Sequence, residues 1–219
     1  PQITFGTLLP EKMRPARLVH QERCPEDFFR FSAFQLAFSV PKNVLPFRGV
    51  RIIDIEPVQI RERMVRRILL REFSHEPTFA PAGMTVLHVM IPLDERDSLF
   101  FVRQATEHPE EYREEKRALA GLLREKIEGA CPFFAGNLEL LDVWTPATYA
   151  RYFGARAGAF MAFGLSGKKA PLRLPLTVRG ARGVFFAGQW QQSPGGLPGA
   201  LLAGKNAADG ICRELKKEG

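Results

Sequence analysis

Between residues 33 and 40 hydrophobic and polar positions alternate without a break. Phe34, Leu36, Phe38 and Val40 fall on one side, and Ala33, Gln35, Ala37 and Ser39 on the other. A period of two is that of a half-buried β-strand. Pro41, which cannot donate a ladder hydrogen bond, stops it. Residues 50–55 have the composition of another strand. Residues 59–73 mix β-branched residues with arginines and fit a helix or a strand. Pro77, Pro81 and Gly83 mark a loop. From 85 to 91 the alternation returns, with Thr85, Leu87, Val89 and Ile91 opposed to Val86, His88 and Met90.

The spacing then changes to that of a helix over 109–128. Pro109 suits the first helical position, and Glu110 and Glu111 sit at the positive end of the dipole. Tyr112, Leu119, Leu122, Leu123 and Ile127 form an apolar stripe. Gly129 is the expected C-terminal cap, with Pro132 following. Residues 137–143 are a strand candidate, and Thr145-Pro146 opens a short helical turn. A glycine-rich stretch, 154–167, leads to a buried strand at 184–187, a Gly/Pro turn at 193–199 and a helix after Pro198. That helix has Leu201, Leu202, Ala207, Ala208 and Ile211 to bury. Strands interleaved with helices, several without βαβ spacing, predict an α/β to α+β fold: a mixed, largely antiparallel sheet with packed helices, followed by the strand-turn-helix.

Charge changes this picture little. The net charge is +7, yet Lys and Arg are interleaved with Glu, as in Arg61-Glu62-Arg63, and no aromatic-basic motif accompanies them. Solvated faces are expected, and nucleic acid is not an expected partner. Eighteen Phe against three Tyr predict dry surfaces, in a core or around an apolar ligand. A basic, Phe-rich chain also leaves peripheral contact with lipid open. Cys24, Cys131 and Cys212 are far apart and lack metal spacing, so no disulfide framework or zinc site is expected. Each reads as a small buried hydrophobe in a reducing, cytoplasmic setting. No apolar run approaches the ~18 residues of a spanning helix. A start at Pro1 without Met suggests an excised piece.

Candidate chemistry concentrates near the end. A helix entered through Gly195-Gly196-Leu197-Pro198-Gly199 presents free N–H groups and the positive end of its dipole to an anionic or polar ligand edge. Gly199 to Asn206 nearly matches the phosphate-binding GxxxxGK[ST], but Asn206 lacks the Mg²⁺-ligating hydroxyl and the interior is a helical stripe. No two glycines are spaced as GxG, so a dinucleotide-binding GxGxxG is absent from these residues. His20, His75, His88 and His108 have no carboxylate or cysteine at metal spacing. His88, within an alternating strand, reads as a satisfied buried imidazole. No nucleophile elbow is present. Chemistry here would be carried by a cofactor. The aromatic-dense Trp144 to Tyr152 reads as a capped turn with packed rings. Its alternative reading is a pocket lining of Trp144, Tyr149 and Tyr152, with Arg151 at the edge.

Several stretches together resemble one family. Val184-Phe-Phe-Ala-Gly-Gln-Trp190, Ser193-Pro-Gly-Gly-Leu-Pro-Gly-Ala200 and Gly204-Lys-Asn-Ala-Ala208 are similar to the C-terminal flavin motif of phytoene desaturase-like FAD oxidoreductases. Within these, the carotenoid isomerase and retinol saturase branch is nearest in pattern. Thr145 to Tyr152, Gly158-Ala-Phe160, Phe31-Ser-Ala-Phe34 and Phe79-Ala-Pro-Ala-Gly83 match that branch in order. The resemblance implies the C-terminal part of a larger flavoprotein, whose GxGxxG-bearing N-terminal FAD domain lies outside these residues. It implies that 1–15 edge the FAD domain, 16–180 form the substrate domain, and 181–219 close the FAD site.

It further implies that Gly188 and Gln189 reach the FAD pyrophosphate or ribityl chain. Gln189 stands where the wider amine-oxidase superfamily has an acidic residue. Gly195, Gly196, Leu197 and Pro198 would approach the isoalloxazine ring, where the helix dipole would stabilise negative charge on the reduced flavin. The implied substrate is an apolar polyene or isoprenoid, desaturated, saturated or isomerised by hydride chemistry in the parent protein, with the 219 residues alone inactive. Two alternatives stand beside it: a non-catalytic membrane-surface or partner-binding module, and an amine-oxidising flavoenzyme.

Overall fold

The alternating segment forms strand β2 (Ser32–Pro41), which lies inside a sheet, with a neighbour on each side. In the computed structural model, the residues described are 8–16, 19, 28–29, 32–161, 164–165, 174–191 and 195–218. They divide into two units, one of residues 32–152, the other drawn from 1–31 and 153–219. His20, Cys24, Phe31, Ser193, Pro194 and part of the 154–167 stretch lie outside the described residues.

In the first unit, β3 (Val50–Ile60), β4 (Arg63–Glu72), β5 (Met84–Leu93), β2 and β6 (Glu139–Trp144) form an antiparallel sheet in the order β3-β4-β5-β2-β6. Register follows the hydrophobic pattern: Leu36 faces Val89 on one side and Val143 on the other. A one-residue slip would turn all of these away from the core. The ambiguous 59–73 segment resolves as a turn and a strand. Val65, Ile68 and Leu70 are buried while the arginines point outward. Arg61 takes a left-handed turn conformation (φ 55°), and its guanidinium lies 3.4 Å from the centre of the Phe100 ring.

Two helices cover one face of this sheet. Helix α1 (Glu95–Glu107) has no counterpart among the elements read from the sequence; Asp94 caps it, its carboxylate accepting from the Asp97 N–H at 2.9 Å. Phe101 of α1 packs on Phe34. Helix α2 (Pro109–Ala130) starts at Pro109 as expected, and Ala120, Leu123 and Ile127 are buried. Leu122 leaves the predicted stripe and is 38% exposed. The helix also runs past Gly129, which is helical rather than a cap. It ends at Cys131, whose N–H bonds the Ile127 carbonyl, with Pro132 following. Phe34, Phe38, Phe101 and Phe134 are fully buried in the resulting core, each stabilising by about 1.5–3 kcal/mol relative to exposure.

Helix α3 (Pro146–Phe153) follows the sheet. Thr145 Oγ1 accepts from the Ala147 N–H at 3.1 Å, and Thr148 Oγ1 accepts from the Thr145 N–H at 3.2 Å. Thr145 Oγ1 also lies 2.7 Å from the Tyr112 hydroxyl, which fastens the start of α3 to α2.

The second unit holds two short antiparallel ladders, β1 (Phe28–Phe29) with β7 (Gly164–Leu165) and β8 (Thr177–Val178) with β9 (Ala181–Phe185), and helix α4 (Gly196–Glu218). All pairings described are antiparallel, and the fold is the expected mixture of antiparallel sheet and packed helices. Two expectations fail in detail. The strand at 184–187 ends at Phe185 and is not buried: its partner is two residues long, and Val184 is 39% exposed. Nor does α4 bury Leu201, Leu202, Ala208 and Ile211. Its packed face is made of Gly199, Ala203, Ala207 and Gly210, while Leu201 is 74% exposed. The reason is the closeness of approach. A Cβ at Gly210 would come within 2.7 Å of the Phe185 ring, so only residues without bulk fit there. Cys131 is buried, whereas Cys212 is exposed on α4, against expectation. Among the described residues no helix is long and apolar enough to cross a membrane.

Candidate functional site

Two surfaces carry the residues singled out in the sequence. The first is in the second unit, where the chain leaves β9, passes a single helical turn at Gln189–Gln191 and enters α4, which packs against that turn. The turn is fixed from several sides. The Gln191 N–H donates to the Gly188 carbonyl at 3.2 Å, and the Leu174 N–H donates to the Gln191 carbonyl at 2.7 Å. The Gln189 amide donates to the Phe160 carbonyl at 3.1 Å. That side chain therefore holds residue 160.

Three glycines give this turn its surface. Gly188 has φ +153°, Gly195 +77° and Gly196 +73°, all conformations that L side chains rarely adopt. A Cβ at Gly188 would meet no atom of the described residues within 4 Å beyond its chain neighbours. Among the described residues, a Cβ at Gly196 would meet the ends of Met161 and Pro198. Of the first four residues of α4, Gly196, Leu197 and Gly199 carry N–H groups and Pro198 has none. Leu197 and Pro198 are exposed. Gly195 and Gly196 thus lead without side chains into the positive end of a 23-residue helix.

The second surface is in the first unit. Trp144, Arg151 and Tyr152 line a cleft of about 790 Å³ between α1 and α2 on one side and β6 and α3 on the other. Tyr149 is not with them. It turns to the sheet face opposite α1 and α2, where its phenol is hydrogen-bonded to Gln35, and burial raises its pKa. Gln35 Oε1 lies 2.7 Å from His88 Nε2, and the Trp144 ring meets the His88 ring edge-on. Burial, then the charge of Arg71 opposite it in the ladder, lower the His88 pKa. His88 is thus the satisfied imidazole that its strand position predicted. Gln35 was not singled out from the sequence. The alternation of β2 and β5 places both on one face, and only the strand register brings them together.

A family model of flavin containing amine oxidoreductases matches residues 56–212. The chain belongs to this family. No curated protein and no solved structure matches it. For a flavin containing amine oxidoreductase, a flavin cofactor and oxidoreductase chemistry follow from membership. At Gly188 the backbone carries no side chain and has open space beside it among the described residues, room for a flat or anionic group, and it adjoins the turn packed on α4. Among the described residues no group of three His, Cys, Asp or Glu is placed to hold a metal ion.

Proposed function

We propose that these residues close the FAD site of an oxidoreductase acting on an apolar polyene or isoprenoid, of the phytoene desaturase-like kind. The observation that carries the reading is the half-buried, side-chain-free backbone at Gly188, in the turn that packs on the glycine-led helix α4. On this reading Gly188 and the backbone of Gln189 approach the pyrophosphate or ribityl chain. The N–H groups of Gly196 and Leu197 face the ring system, and Pro198 fixes the turn without adding a donor. Residues 1–15 and 181–219 belong to the FAD domain and 16–180 to the substrate domain. None of the 219 residues supplies GxGxxG, so the dinucleotide fold is completed by other residues.

FAD, when bound, accepts or returns a hydride equivalent. The chain's own part is to orient that ring, to supply positive potential beside it through the α4 dipole, and to keep water from the reacting carbon with apolar side chains. The Phe-rich composition and the Ser193 to Ala200 motif support an apolar substrate. A cytoplasmic protein touching the membrane periphery suits such a substrate. The 219 residues alone are expected to bind FAD weakly and to turn over nothing.

Purification of the full polypeptide that carries these residues, followed by its absorbance spectrum and a substrate panel, tests the reading. Bound flavin bleached anaerobically by a polyene supports it; a folded protein free of flavin overturns it. Bleaching by amines alone would assign the second reading, amine oxidation, which the family description favours.

A further inference from the structure

Asp97, the third residue of α1, is 3% exposed. It meets the turn between β3 and β4 at Arg61-Glu62, where its carboxyl accepts from the Glu62 N–H. Its Oδ2 atom is buried and has no hydrogen-bond partner among the described residues. A buried carboxylate oxygen without a donor is costly, because nothing replaces the water it has lost. A neutral carboxylic acid at the same place costs far less.

The neighbouring charges add to this cost. Asp94 caps α1 by accepting from the Asp97 N–H at 2.9 Å, which sets a second carboxylate beside the first. Glu62 brings a further negative charge from the turn, although Arg96 pairs with it. Strand β2, on which α1 packs, has no charged residue between Ser32 and Pro41. The Glu62 N–H, Arg63 of β4 and the positive end of the α1 dipole favour the charged form. Burial first, and then Asp94, outweigh them, and the Asp97 pKa is raised above its ordinary 3.8.

The same turn is also held from outside. Arg61 covers the Phe100 ring and lies 3.8 Å from Glu115, and Glu62 meets Arg96 at the surface. Asp97 fixes the turn from its buried side.

We propose that Asp97 is a pH-operated latch between the β3–β4 turn and the start of α1: as the neutral acid it holds the turn down, and on losing its proton to water it drives the turn open. The closed latch binds a proton more readily than the open one. Closure is therefore complete below pH 3.8 and weakens as pH rises through the raised value. The latch belongs to the first unit alone and holds whether or not the flavin reading does.

Two local readouts test it in the whole protein. The first is the NMR shift of the Asp97 carboxyl carbon through a pH titration, assigned by its loss in Asp97→Asn. The second is hydrogen exchange of a peptide spanning residues 61–63, corrected for the intrinsic pH dependence of exchange. His88, on the other face of the sheet, enters neither. The Asp97 carboxyl should titrate above 3.8. Corrected exchange of the turn should rise over the same range, by up to about tenfold per pH unit.

Asp97→Asn keeps an acceptor for the Glu62 N–H and carries no charge, so its corrected exchange should stay constant. Asp94→Asn keeps the cap and removes the neighbouring charge. It should lower the Asp97 midpoint and shrink the rise in exchange. Circular dichroism checks that each variant is folded, and the wild-type titration and Asp94→Asn decide the matter if Asp97→Asn is not. A midpoint at or below 3.8, corrected exchange that is flat in wild type, or the same rise in Asp97→Asn overturns the latch.

Discussion

His88 Nε2 donates to Gln35 Oε1 at 2.7 Å, across the junction of two central strands. Direct pairing sets Ala37 against His88 and Gln35 against Met90, so the two polar residues meet on the diagonal. Gln35 in turn is hydrogen-bonded to Tyr149 of α3. The amide therefore ties the sheet to the helix that follows it, on the face away from α1 and α2.

This pair has a pH signature. Burial, then Arg71, lower the His88 pKa in the folded chain below its ordinary value of 6.5. The unfolded chain then binds the proton more readily, so stability is complete above about pH 6.5 and falls as pH drops from there through the folded pKa. Denaturant melts of wild type should show this loss, and His88→Gln should flatten it. Gln35→Leu leaves the buried imidazole N–H without its partner and should cost about 1–3 kcal/mol at neutral pH. A wild-type profile as flat as that of His88→Gln would contradict this account.

Two glycines of α4 should respond in opposite directions. A methyl at Gly210 would meet the Phe185 ring at 2.7 Å and Leu176 at 3.1 Å. Gly210→Ala should therefore lose about 1–3 kcal/mol to overpacking, offset in part by the better helix propensity of alanine. At Gly204 a methyl meets nothing within 4 Å. Gly204→Ala should gain about 0.5–1 kcal/mol. Thermal melts of the two variants side by side test whether α4 sits on β9 as described.

Thr145 combines a helix cap with a bond to Tyr112. Thr145→Ala should cost about 1–2 kcal/mol. Tyr112→Phe removes only the second contact and should cost about 0.5–1.5 kcal/mol. Additive losses in the double variant would show that the two residues do not interact.

Where one face of an element is buried, the sequence pattern is legible. The alternations of β2 and β5 and the start of α2 at Pro109 lie where periodicity and capping put them. Legibility fails where packing, not period, decides. Residues 59–73 become a strand because Val65, Ile68 and Leu70 face the core, though local composition permits a helix. The packed face of α4 follows small residues because of its approach to Phe185, while its leucines point out. Of the site, the glycine turn is visible as a motif because φ above zero restricts the residue type. Tyr149 and Tyr152 look alike in sequence, yet one joins Gln35 and the other lines the cleft. Only strand register and helix phase separate them.

The central claim is that bare backbone at Gly188 lies against a flavin, and flavin content measured in two glycine variants tests it most directly. Gly188 and Gly183 both have positive φ, and a Cβ at either meets no atom of the described residues within 4 Å. Gly183, at φ +72°, adjoins the left-handed region that L residues can enter, whereas Gly188, at φ +153°, lies far outside it. Gly188→Ala therefore bears the larger backbone strain, and both variants are first checked for folding by circular dichroism. In the flavin-bearing protein, Gly188→Ala should lower the flavin-to-protein absorbance ratio several-fold while Gly183→Ala keeps it near wild type. Equal flavin retention in the two folded variants would contradict the claim.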